Sequence, residues 1–248
     1  MGAGLRAVPG ARVLTGGPPG IGFVDAEGVE RHELLADVAD LRFETGRPVR
    51  SFPSYRGQRN WPGWWWSSTT GALVGYESWL ERDHAMVLDF DSNVVAFASQ
   101  PFWLLMQVDG RLRSHAPDYF ARHRDGSATV LDCRPDDRIG PRDAAVFSQT
   151  ARVCEQVGWS YRRMGALPAV EAANMRWLSG YRHDRFGDGA IADRLREVFV
   201  EPVELAAGAS RCGLPMAVLP VLFHLLWRHE LRVDLSVVLS DVSLVEAR

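Results

Sequence analysis

Three carboxylates and one guanidinium are spaced in a way that could do chemistry. Asp118, in Ala116-Pro117-Asp118, is followed fourteen residues on by Asp132-Cys133-Arg134, and Glu81 lies upstream in a helix-patterned segment. Acidic groups that converge at one end of a sheet, with a cation beside them, suit hydrolysis of a phosphodiester by bound Mg2+. The carboxylates would hold the metal, and the metal would lower the pKa of a bound water. Arg134 would stabilise charge building on the phosphate. Mn2+ suits the same oxygen ligands.

Local elements must bring these residues together. Ser127 to Asp132 reads as a strand and Leu112 to Ala121 as its neighbour, joined by Arg124-Asp125-Gly126. A three-residue hairpin loop with Gly126 in the left-handed region fits that tripeptide. Asp118 and Asp132 are each seven residues from Asp125, so this loop sets them opposite each other on one face. A two-residue loop would shift the register and separate them. Arg134, two residues past Asp132, returns to the same face. The competing reading is a surface hairpin with ordinary solvated charges.

A family resemblance rests on five motifs in order: Glu77-Ser78-Trp79-Leu80-Glu81-Arg82-Asp83, Leu88-Asp89-Phe90-Asp91, Ser99-Gln100-Pro101-Phe102, Ser114-His115-Ala116-Pro117-Asp118 and Asp132-Cys133-Arg134-Pro135. Together they resemble the TnsA-like endonuclease subunit of heteromeric transposases, a branch of the restriction-endonuclease-like nucleases. The resemblance covers roughly residues 47–185. It implies an α/β fold, with a restriction-endonuclease-like mixed sheet flanked by helices. It also implies a Mg2+-dependent nuclease that cuts one strand of double-stranded DNA at transposon ends. A DDE-type transposase subunit would cut the other strand and an ATPase regulator would direct both.

Carried over by position, Glu81 matches the helix glutamate, Asp118 the central aspartate, and Asp132 with Arg134 the acid-x-lysine pair. Glu77, one helical turn before Glu81, is the rival for the glutamate role. Arginine stands where the family has lysine, and the chain has no lysine at all: its 28 basic residues are all arginine. Arginine keeps the charge and grips a phosphate bidentately, but it does not serve as a general base.

The 248 residues, 46% hydrophobic and 24% charged, suit a moderate domain plus a smaller one. Cys133, Cys154 and Cys212 are widely spaced and form no metal-ligand pair, which fits a reducing, cytoplasmic (bacterial) setting. No segment reads as a signal peptide. The most apolar stretch, Leu214 to Trp227, is too short to span a bilayer, so no membrane is expected. A net charge of -3 carries no global nucleic-acid signature, so DNA contacts must come from local arginines.

Three regions follow. Residues 1–46 read as a poorly ordered N-terminal arm with one short helix pattern around His32 to Leu41. Residues 47–165 carry the nuclease pattern, including a helix from Pro141 to Val157. Residues 166–248 read as a mainly helical, winged-helix-like domain for binding DNA or a partner, with helices at Ile191 to Ala206, Leu214 to His229 and Asp234 to Leu239. The Trp61-Pro62-Gly63-Trp64-Trp65-Trp66 run beside Arg56 and Arg59 could stack on DNA or cover a sheet edge. Arg122 and Arg124 complete the candidate DNA contacts. His115 is expected near the metal only behind its ligands. Three functional readings stand: a catalytic transposase endonuclease, a non-catalytic subunit that binds DNA ends and a transposase, and a stand-alone restriction-type nuclease.

Overall fold

The computed structural model describes residues 17–50 and 61–248. The chain divides into two compact units. One runs to Leu88 and resumes at Asn93–Ala166; the other comprises Asp89–Ser92 and Leu167–Arg248. Both mix helices with strands.

The first unit contains β1 (Gly20–Val24), β2 (Glu30–Leu34), α1 (Leu35–Val38), β3 (Gly63–Trp66), β4 (Leu73–Tyr76), α2 (Trp79–Phe90, whose last two residues belong to the second unit), β5 (Val94–Ser99), β6 (Phe102–Val108), β7 (Arg111–His115), β8 (Tyr119–His123), β9 (Ala128–Cys133), α3 (Pro141–Gln156) and β10 (Ser160–Met164). They form an antiparallel sheet, β2-β1-β6-β7, and a mixed sheet, β10-β9-β8-β5, in which β10 lies parallel to β9. β3 and β4 pair as a separate hairpin.

β8 and β9 are central strands, and they read as near-continuous apolar runs: Tyr119, Phe120 and Ala121 are buried, as are Ala128, Val130 and Leu131. Phe43, 3% exposed, sits among the rings of Phe23, Phe102, Phe120 and Trp159 at centroid distances of 5.1, 5.1, 5.9 and 5.7 Å. These edge-on aromatic contacts add specificity to the area they bury.

Two expectations change here. Gly20 to Leu34 form β1 and β2 rather than loose arm, because Ile21 and Phe23 alternate into the core. The single strand expected over Leu112 to Ala121 is two strands in different sheets. Pro117 offers no N–H to a ladder, and the chain bends at Ala116-Pro117-Asp118 between β7, which pairs with β6, and β8, which pairs with β5. α3 matches its expected span within a residue; Pro141 opens it, and Gly158 follows at φ 75°.

The second unit contains α4 (Ala169–Ser179), α5 (Gly189–Val198), β11 (Val203–Glu204), α6 (Leu205–Cys212), α7 (Pro215–Trp227), β12 (Leu231–Val233) and β13 (Leu244–Ala247), with a small sheet ordered β11-β13-β12. The helix expected over Ile191 to Ala206 breaks before Pro202, which bars the preceding residue from helical geometry. The helix expected over Asp234 to Leu239 is absent. The Asp234 carboxylate takes both the N–H and the hydroxyl of Ser236, a local turn that competes with helix, and Asn174 ties down Leu235, Val237 and Leu239. Among the described residues no single helix is long and apolar enough to cross a membrane.

Candidate functional site

The β8–β9 hairpin has the register that its turn chemistry requires. Tyr119 faces Leu131 and Arg122 faces Ala128. His123 N–H bonds the Ser127 carbonyl across Arg124-Asp125-Gly126, with Gly126 at φ 86°. Continued one step past Tyr119–Leu131, the same register sets Asp118 opposite Asp132.

Asp118 is half-buried as a residue, but its carboxyl is the desolvated end. The Oδ2 atom accepts the Cys133 N–H at 2.7 Å. Burial, then the Glu81 and Asp132 carboxylates, push the Asp118 carboxyl well above the usual carboxylate range; the Cys133 N–H opposes the shift. Asp118 therefore senses both other acids.

Glu81, 9% exposed, comes from the first turn of α2. Its Oε2 accepts the Glu77 N–H at 2.6 Å, and its Oε1 accepts the Ser78 hydroxyl at 2.8 Å. Ser78 Oγ in turn accepts the Glu81 N–H. This is a capping-box-like arrangement in Ser78-x-x-Glu81 that starts the helix. Each oxygen keeps further acceptor capacity beyond these bonds. Burial pushes the Glu81 carboxyl up, against those hydrogen bonds. Its rival Glu77 is held by Arg50 at 2.9 Å.

Asp132 is 3% exposed, and both of its oxygens are engaged. His115 Nε2 donates to Oδ1 and Oδ2 at 3.0 and 2.8 Å, and the Tyr161 hydroxyl donates to Oδ2 at 2.8 Å. Burial and the Asp132 charge push the Tyr161 hydroxyl up, so it stays a donor. His115 thus lies against one of the predicted carboxylates. Tyr161 was not anticipated; only the parallel β9–β10 pairing, which follows from α3 crossing between them, could have pointed to it.

Arg134 bonds none of the three acids. Its guanidinium reaches the Arg138 carbonyl at 3.3 Å and Asp143 at 3.3 Å, beside the start of α3. Arg122 and Arg124 lie toward the hairpin turn, about 13–20 Å along the strand from Asp118. Arg122 bonds the Gly126 and Leu41 carbonyls, and Arg124 is exposed in the turn. Arg56 and Arg59 lie outside the described residues. In the tryptophan run, Trp64 is 56% exposed and Trp65 is 8% exposed, the alternation of a strand with one covered face.

Among the described residues no three His, Cys, Asp or Glu side chains are grouped to hold a metal ion. Mg2+, however, is commonly held by one or two carboxylates plus waters and substrate phosphate. The desolvated Asp118, beside Glu81, fits that smaller demand. Asp132, engaged by His115 and Tyr161, fits a place behind it. Set against known proteins, the chain matches no family model and no curated relative.

The like-charge cluster makes a pH prediction. Asp118's pKa is raised on folding, so protonation favours the folded chain. That stabilisation is full below its unfolded value near 3.8 and is lost as pH rises through the folded value. Asp118→Asn keeps the shape without the charge. It is expected to raise Tm at pH 7 by about 2–4 °C, as a change of about 1 kcal/mol does in chains of this size, with the gap closing toward pH 4. Equal melting curves at pH 7 would remove the charge-cluster argument.

Proposed function

We propose that the first unit is a restriction-endonuclease-like nuclease domain and that the chain is the DNA endonuclease subunit of a heteromeric transposase. The observation that carries this is the hairpin register, which sets Asp118 opposite Asp132 while Asp118 also senses Glu81. Buried like charges destabilise a protein unless something uses them. Glu81 and Asp118 are the residues to hold Mg2+ or Mn2+. Bound there, the cation would supply a deprotonated water and neutralise the phosphate. Asp132 orients the site edge through His115 and Tyr161. Double-stranded transposon-end DNA, a DDE-type transposase and an ATPase regulator are the proposed partners. The second unit is the proposed binding module, with a winged-helix-like role for β12 and β13.

A second reading has its own support. Arg134 is drawn to Asp143, and both oxygens of Asp132 are already hydrogen-bonded, as suits a subunit that binds DNA ends without cutting. Nicking of a labelled transposon-end duplex, with Mg2+ and the partner transposase, separates the two. Under the catalytic reading, Arg134→Lys retains cleavage. Arg134→Ala loses about a hundredfold or more, the worth of one preorganised donor at a developing charge. Cleavage by Arg134→Lys but not by wild type would identify a disabled site. Undiminished cleavage by Arg134→Ala would reduce Arg134 to a tether for α3.

A further inference from the structure

A cavity of about 320 Å3 opens in the second unit. Leu205, Phe223 and Leu239 give it apolar walls, and Asn174, Trp177 and Asp241 line it as well. Its size lies within the range of small-ligand sites. The walls are fixed before anything binds. The Asn174 amide donates to the Leu235 and Val237 carbonyls at 2.9 and 2.6 Å, and its oxygen accepts the Leu239 N–H at 3.1 Å. From α6, the Ala206 N–H donates to the Asp241 carbonyl at 2.9 Å. Both Asn174 donors are spent on this scaffolding, so the amide is not the group that reads a ligand.

Two lining groups are left to read one. Trp177 is 55% exposed, its ring steadied by Phe223 at 5.8 Å and Tyr181 at 6.1 Å. The face of an indole attracts cations. Asp241 is exposed, and among the described residues its carboxylate has no hydrogen bond and no salt bridge. Ring and carboxylate therefore call for the same charge, while the apolar walls call for a hydrocarbon stem. Arginine combines the two. Its aliphatic stem packs on apolar surface, and its planar cation stacks on an indole and bonds a carboxylate through two N–H groups. Val237, Val238 and Val242, on the same stretch as Leu239 and Asp241, are exposed and offer apolar area for the rest of a protein partner to cover.

We infer that this cavity is a docking site for an arginine side chain of a partner protein, stacked on Trp177 and paired with Asp241. The same carboxylate repels a phosphate backbone, so this face of the second unit docks protein rather than nucleic acid. The inference gives the binding role of the second unit a ligand chemistry. It stands or falls without the nuclease reading, since no residue of the first unit takes part.

The test titrates the isotope-labelled full chain with two capped alanine peptides, one with a central arginine and the other with citrulline, its neutral isostere. The Trp177 indole N–H and the Leu239 backbone amide report occupancy by their resonances. The arginine peptide is expected to shift both saturably, with a Kd on the order of 1 mM, as suits a single anchored side chain. The citrulline peptide is expected to bind about tenfold more weakly. Asp241→Asn, and Trp177→Ala followed at Leu239, should each weaken the arginine peptide by about tenfold. Both side chains are exposed, so the variants should fold, which an unchanged far-UV spectrum checks. No saturable shift below about 20 mM peptide overturns the inference, as does binding within about threefold by the citrulline peptide or by either variant. A transposon-end duplex that shifts these resonances where the arginine peptide does not would assign the face to nucleic acid and overturn it too.

Discussion

Asp118→Ala is expected to lose on the order of a thousandfold in nicking of a transposon-end duplex, assayed with Mg2+ and the partner transposase, while its far-UV spectrum stays that of wild type. The loss should be large because Asp118 stands at the junction of the proposed site: it faces Asp132 across the hairpin and senses Glu81. The fold should survive because the removed group is a repelled charge, and its one hydrogen bond among the described residues, to the Cys133 N–H, lies at the end of a strand. Wild-type cleavage by Asp118→Ala would end the assignment of the site, whatever the chain binds.

Phe43→Ala is expected to destabilise the first unit by about 3–5 kcal/mol, measured by urea unfolding followed in the near-UV. Phe43 is 3% exposed and touches four aromatic rings drawn from β1, β6, β8 and the residue before β10. Truncation leaves a cavity that those rings, three of them on separate strands and one on the residue before β10, have little freedom to fill. Trp64→Ala, at a side chain 56% exposed, serves as the comparison and is expected to change stability by less than about 0.5 kcal/mol. A Phe43→Ala effect no larger than that would mean residues 17–50 are not part of this core.

What the sequence announced locally, the structure repeats. The hairpin turn was legible because Gly126 tolerates the left-handed backbone the loop demands. α3 was legible because a proline opens it and a glycine follows. These signals act over a few residues. The break between β7 and β8 falls at Ala116-Pro117-Asp118, where a proline withholds a ladder N–H; that the two halves join different sheets is decided by their partners, β6 and β5, which the stretch itself does not name. Asp234 to Leu239 failed as a helix because one carboxylate and the Asn174 amide offered that backbone other partners.

The candidate site divides the same way. Which acids share a rung could be counted from the turn. How each acid is engaged could not: the groups on Asp132 arrive from β7 and β10, and the group on Arg134 from α3.

The bond from the Cys133 amide to Asp118 carries a spectroscopic consequence. Most sheet amides give their proton to a neutral carbonyl; this one gives it to an ionisable acid, and such charge-assisted bonds shorten and strengthen with the charge. The resonance of that amide therefore gauges the ionisation of Asp118 from the backbone, with no label placed in the site. In an isotope-labelled chain it distinguishes a proton on the carboxylate from a cation beside it, since one removes the charge and the other leaves it in place.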